Sequence, residues 1–185
     1  MKNSSIYIIM FVFLFMVNQI SPIAFAENNK TIMGWLEKIV ILPYKIELTA
    51  KLDSGADRSS IHARNIEIFE KDGAKWVSFT LEYKNKNNIV HQIQVEKPLV
   101  RKVHIKRHAA KSVERAVVSF DFYLGGKKES AEFTLANREN FKYPVLFGRQ
   151  FLKKNIVIDP EKTFLISSDP GSLQNNKLGN KRDKQ

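Results

Sequence analysis

The residues best placed to do chemistry lie in one short run, Lys51-Leu52-Asp53-Ser54-Gly55-Ala56-Asp57. It sets a carboxylate on a tight turn, followed by a hydroxyl, a glycine and a small residue. Hydrolysis of an amide by activated water can use two carboxylates that share one proton, because like charges in contact cannot both ionise. One takes a proton from the water while the other donates to the carbonyl oxygen. Gly55 permits the tight backbone, and the Ser54 hydroxyl can bond across the turn. Asp-Ser-Gly is also ordinary turn chemistry. Only one such turn occurs in the chain, so a catalytic Asp53 requires its second carboxylate from another chain.

The elements that must hold this turn read as strands. Ile46 to Leu52 alternates like a half-buried strand and runs straight into Asp53. Met33 to Leu42, with Trp35 and alternating Ile and Val, precedes it across the Pro43-Tyr44 turn. Trp76 to Tyr83 and Ile89 to Val95 form a hairpin around the polar tip Lys84 to Asn88. Pro98 to Ile105 is extended, and Val117 to Leu124 and Ser130 to Leu135 flank the turn signal Gly125-Gly126. Tyr143 to Phe147 is a short apolar strand ending at Gly148. A short helix over Arg149 to Lys154 and two extended pieces, Ile156 to Ile158 and Thr163 to Ile166, complete the pattern. Helical periodicity is otherwise scarce, and the reading is an all-β domain over residues 32–167 with one or two short helices.

Outside that domain, Lys2 followed by the apolar run Ile6 to Val17 and Ala24-Phe25-Ala26 has the form of a secretory signal peptide over residues 1–26. Its core is short for a membrane span, although an uncleaved anchor is the alternative. Residues 27–31 read as a linker and 168–185 as a disordered polar tail. The expectation is a periplasmic or secreted protein without a stable membrane anchor after cleavage behind Ala26. There is no Cys, hence no lipid-attachment cysteine and no disulfide, and the domain must stand on its hydrophobic core. The chain carries a formal charge of +11, and +10 beyond residue 26, with 29 Lys and Arg against 19 acids. That balance attracts acidic peptides, cell-wall polymers or lipid head groups, or is simply dispersed over a basic surface. Export and the lack of a basic recognition motif argue against nucleic acid.

A second segment, Val145-Leu146-Phe147-Gly148-Arg149-Gln150-Phe151-Leu152, runs an apolar strand into Gly-Arg. With the Asp53 turn it resembles the paired signatures of retropepsin-like aspartic peptidases, in the same order. Further segments extend the resemblance over about residues 32–166: Met33-Gly34-Trp35, Ser59-Ser60-Ile61-His62-Ala63, Trp76-Val77-Ser78-Phe79, Asn137-Arg138 and Ile158-Asp159-Pro160. Together they are similar to the bacterial family labelled ATP-dependent zinc proteases, which is also described as retropepsin-like and is associated with RimK-type ATP-grasp ligases. The resemblance implies a single-lobed, pepsin-like closed β-barrel, peptide hydrolysis and, for some members, removal of glutamates that the ligases add. It implies a catalytic Asp53, supported by Ser54, Gly55, Ala56, Asp57, Gly148 and Arg149. It also implies an Asp57–Arg149 pair, with the planar guanidinium holding the carboxylate bidentately.

The label and the residues disagree about cofactors. No G-x-x-x-x-G-K-[ST] loop and no H-E-x-x-H is present, and neither ATP nor a metal is expected. His104 and His108 have an i,i+4 spacing but sit among Lys and Arg in what reads as an exposed basic loop; His62 reads as a packed or supporting residue. About 95 residues separate Asp53 from Gly148, longer than compact viral enzymes need, and the extra length is expected around Glu96 to Arg115. A mobile hairpin normally closes over such a site. The Lys84–Asn88 tip lacks glycine, the Gly125-Gly126 turn lies late, and both remain open. Three functions stand: a homodimeric aspartic peptidase acting on peptides, acidic ones included; a non-catalytic module that binds an anionic peptide or wall component; and a metal-dependent hydrolase.

Overall fold

A computed structural model describes residues 30–166, apart from Lys86, His108 and Ala109, with the side chains of residues 106–111 also left undescribed. The proposed signal segment and tail lie outside these residues. The order of elements is β1 (Thr31–Ile41), β2 (Ile46–Leu52), β3 (Ser60–His62), β4 (Arg64–Lys71), β5 (Ala74–Lys84), β6 (Val90–Pro98), β7 (Arg101–Arg107), β8 (Ala110–Leu124), β9 (Lys127–Ala136), β10 (Val145–Phe147), α1 (Arg149–Leu152) and β11 (Ile156–Thr163). The fold is the all-β architecture expected from the alternating pattern.

Six strands, β1-β2-β10-β3-β9-β8, close into a barrel because β8 pairs back onto β1 through Ile39↔Leu124 and Ile41↔Phe122. Alternation along each strand sends one face inward. The interior is dominated by phenylalanine: Phe122 lies 5.9 Å from Phe133, 5.3 Å from Phe147 and 5.7 Å from Phe151, and Phe147 stacks on Phe151 at 4.3 Å. Phe147 and Phe151 flank the Gly148-Arg149 step, so the core itself fixes the position of that step. Edge-to-face and offset ring packing adds to the area these side chains bury.

Two strands extend the barrel sheet. β11 runs parallel to β1, with a register shift between Gly34 and Leu36. There the main chain of Lys162 passes so close that a Cβ on Gly34 would sit 2.6 Å from its carbonyl oxygen, which accounts for a glycine in the Met33-Gly34-Trp35 segment. β11 contains Pro160, tolerable because it is an edge strand. β7 pairs with the first half of β8, from Arg101↔Val117 to Arg107↔Ala110.

Two sequence expectations are corrected. His104 does not lie in a loop: it sits on β7, opposite Glu114, where alternate charges on an edge hairpin had disguised a strand; His108 is outside the described residues. Between the turn and Gly148 the chain also builds a separate three-stranded sheet, β4-β5-β6. Its edge strand β4 was not foreseen, because nearly every residue of it is exposed and no buried face marks it. Of the two C-terminal pieces only Ile156–Ile158 is wholly strand, within β11; Phe164, Leu165 and Ile166 lie beyond its end.

Candidate active site

Asp53 stands where β2 ends, and its environment is built from the barrel outward. β10 runs parallel to β2 through Ala50, Lys51 and Leu52, and the Asp53 N–H donates to Phe147 O at 2.9 Å. The carboxylate is folded back over its own turn: Gly55 N–H donates to Asp53 Oδ1 at 3.0 Å, and Ala56 N–H to Asp53 O at 3.2 Å. The other oxygen, Oδ2, receives the Lys51 ammonium at 3.1 Å. The Asp53 side chain keeps 26 % of its surface exposed.

Gly148 and Arg149 support the turn from behind. The main-chain N–H groups at the start of α1 donate into it, Arg149 to Ala56 O at 2.9 Å and Gln150 to Asp57 O at 3.0 Å. The Arg149 guanidinium donates Nη1–H to Ser54 O at 3.1 Å and Gly55 O at 3.0 Å. Gly148 N–H donates to the buried Ser59 hydroxyl at 3.2 Å. Gly148 has an ordinary extended backbone, φ −97° and ψ 175°. What excludes a side chain there is space, since a Cβ would meet the Arg58 main chain at 2.6–2.7 Å.

The expected bidentate Asp57–Arg149 pair is not what holds the turn. Arg149 Nη2 lies 3.7 Å from Asp57 Oδ1, and both side chains are more than half exposed, a pair of little energetic weight. Two carbonyl oxygens are closer to the fork and point at it, while Asp57 accepts from Gln150 Nε2 at 3.3 Å. Nor does the Ser54 hydroxyl lock its own turn: it is exposed and finds no partner among the described residues. Ser59 takes that part from five residues further on.

Sequence reasoning missed Lys51. A cation two positions before Asp53 on a strand lies on the same face, and that spacing was the available signal. Burial is the largest influence on Asp53 and pushes its pKa up. It is outweighed by the Lys51 hydrogen bond and charge together with the Gly55 and Ala56 N–H groups, so the carboxyl is held below the usual value. No second carboxylate of the described chain contributes to that balance.

His62 is buried. Its Nδ1 accepts from Arg138 N–H at 2.8 Å, and its Nε2 meets Glu82 Oε2 at 3.3 Å. Both ring nitrogens are therefore engaged, and Glu82 is shared with Arg64 and Gln92. Among the described residues no three of His, Asp and Glu gather into a metal-binding group. The Gly125-Gly126 turn connects Leu124 to Lys127, seven residue pairs along the β8–β9 hairpin from the Val117–Thr134 pair.

A closed barrel whose acidic turn is buttressed by a Gly-Arg step has the form of a single retropepsin-like lobe. The family described as RimB-like, retropepsin-like aspartic endopeptidase RimB, matches residues 32–169, and the chain belongs to it. Among curated proteins, a "Probable alpha-L-glutamate ligase" of Shewanella pealeana is 35% identical over 150 residues, covering 80% of this chain and 32% of its own length. One of the same name from Desulfotalea psychrophila is 34% identical over 121 residues, 61% of this chain and 24% of its own. The chain thus spans about a third or less of the curated relatives it matches. A solved structure of a Legionella pneumophila protein of unknown function is 34% identical, covers 73% of this chain and 97% of its own, and superposes with a TM-score of 0.61.

Proposed function

We propose that the chain is an exported aspartic peptidase whose active site forms when two copies bring their Asp53 turns together. The observation that carries this reading is the Asp53 carboxylate itself: fixed by its own turn, braced from behind, partly open at the surface, and with no other carboxylate of the described residues among its hydrogen-bond or ion-pair partners. In the paired site one Asp53 is ionised and takes a proton from water, and its symmetry mate donates the shared proton to the amide oxygen. The resulting intermediate then releases a carboxylic acid and an amine. Lys51 favours the ionised member, and the unpartnered Ser54 hydroxyl is available to bond across the two-fold axis.

Acidic peptides are the substrate class the surroundings favour. Lys51 contacts Asp53, and Arg149 contacts its turn, while the chain as a whole is strongly basic. The relatives' name points the same way: a peptidase matching part of proteins named as glutamate ligases would undo what such a ligase builds. The form of residues 1–26 supports action outside the cytoplasm. The test is incubation of the full chain with a peptide library that includes oligoglutamate, read by mass spectrometry from acid to neutral pH. Cleavage is expected; no cleavage anywhere in that range contradicts the reading.

One observation favours a binding module instead. Lys51 already occupies one Asp53 oxygen, as it would in a carboxylate that is purely structural. Retained binding of oligoglutamate by a protein that sediments as a single copy and hydrolyses nothing would support that alternative.

Lys51 also makes a directional prediction. Activity requires an ionised Asp53, and the lysine keeps it ionised to lower pH. Lys51→Met removes that charge, so the Asp53 pKa rises and the acidic limb of the kcat/KM profile moves to higher pH. Because the two carboxyls titrate as a pair, the limb belongs to the dyad and not to one residue. An acidic limb unmoved by the substitution would mean that Lys51 does not govern the site.

A further inference from the structure

Arg138, in the loop between β9 and β10, is the one buried Lys or Arg among the described residues, 8% exposed. Its partners are all neutral. Nη1 donates to Ser60 Oγ at 2.8 Å, Nε to Tyr143 O at 3.4 Å, and the guanidinium lies 4.5 Å from the centre of the Phe141 ring. The acids nearest in the chain and the fold are committed elsewhere: Glu139 closes on Arg64, and Glu82 is divided among His62, Arg64 and Gln92. No described carboxylate forms an ion pair with Arg138, and the acid whose charge reaches it is Asp53.

Strand register explains that proximity. Ser60 lies opposite Leu146, and Leu146 lies opposite Lys51, so the three share one face of the sheet. Ser60 and Lys51 are then about two strand spacings, roughly 10 Å, apart. One end of that row anchors Arg138 and the other holds Asp53. Burying a cation without a counter-ion is costly. Arginine bears this better than lysine because it is weakly hydrated, and its fork accepts a carboxylate bidentately. Phe141, 60% exposed, leaves an apolar ring at the surface beside the guanidinium.

We propose that Arg138 determines specificity by receiving a substrate carboxylate one or two residues from the bond held at Asp53, with Phe141 packing on that side chain's methylenes. The inference rests on the reading of the Asp53 turn as a peptide site.

Two probes test it with the full chain: an oligoglutamate peptide and its oligoglutamine counterpart. Wild type is expected to favour glutamate in kcat/KM by on the order of 10–100-fold. Arg138→Met should bring the ratio to about one by lowering the glutamate rate alone. Arg138→Lys should fall between, since the charge remains and the fork is lost. An equal loss on both peptides in Arg138→Met, an undiminished preference in either variant, or no preference in wild type overturns the proposal. If Arg138→Met loses its cooperative melt, the ratio in Arg138→Lys decides. If wild type cleaves neither peptide, the catalytic reading falls, and calorimetric binding of the two peptides to Asp53→Asn protein decides separately. Selective loss of glutamate binding on adding Arg138→Met supports the inference, and indifference between the peptides refutes it.

Discussion

Asparagine at position 53 is expected to remove peptide hydrolysis, by on the order of 10³–10⁴-fold, while leaving the barrel folded. Asn matches the shape of Asp and keeps one acceptor for Gly55 N–H, so the turn survives. It cannot share a proton with a symmetry mate or accept one from water. The stability lost is small, because the Lys51–Asp53 pair is partly exposed on both sides; after solvent screening it is worth at most about 1 kcal/mol. Peptide cleavage by mass spectrometry and a thermal melt of the same sample check both halves. A variant that cleaves at the wild-type rate removes Asp53 from the chemistry, and a variant that unfolds assigns it to structure.

Alanine at Gly148 should do the reverse, damaging fold and activity together. The usual explanation for glycine, access to positive φ, does not apply, since the backbone here suits any residue. The obstacle is the Arg58 main chain, which the new methyl would meet at 2.6–2.7 Å. A flexible side chain could swing away; a peptide unit between Asp57 and Ser59 cannot move without dragging the turn. We expect a destabilisation of about 3 kcal/mol, at the upper end of overpacking costs. The support to Asp53 should loosen as the Gly148 N–H to Ser59 Oγ bond is disturbed. Denaturant unfolding measures this directly. An unchanged midpoint would mean that the contact between the two segments yields freely.

The parts of the fold with one wet and one dry face were readable in the sequence. β1, β2, β5 and β9 alternate apolar and polar residues, and the Gly125-Gly126 turn marks the β8–β9 hairpin. β4 escaped because Ile66 and Ile68, its alternating apolar residues, are themselves exposed, 37% and 40%. Most of β7 was read within the extended Pro98–Ile105 segment, but its end and the start of β8 escaped because their charges read as a loop. At the candidate site, types and order along the chain were legible: Asp53, its glycine, and the Gly-Arg step that approaches from 95 residues away. Which atoms meet was not. Arg149 donates to two carbonyl oxygens and reaches the Asp57 carboxylate only at 3.7 Å, and nothing local distinguishes Ser59 from Ser54 as the residue that bonds to the Gly148 N–H. Arg138 carries no mark of burial in its neighbours, two of which, Asn137 and Glu139, are exposed. Glu37 likewise sits fully buried at a position where the strand pattern shows only a charge, accepting N–H bonds from Gly34, Leu165 and Ile166.

The most direct measurement of shared catalysis is a mixing experiment at constant total protein, with Asp53→Asn chains replacing wild-type chains under conditions where copies exchange. If one carboxylate from each of two copies makes the site, mixed pairs are dead and cleavage of the peptide falls as the square of the wild-type fraction. A fall in simple proportion to that fraction would show each copy working alone, and the two-copy site would be wrong.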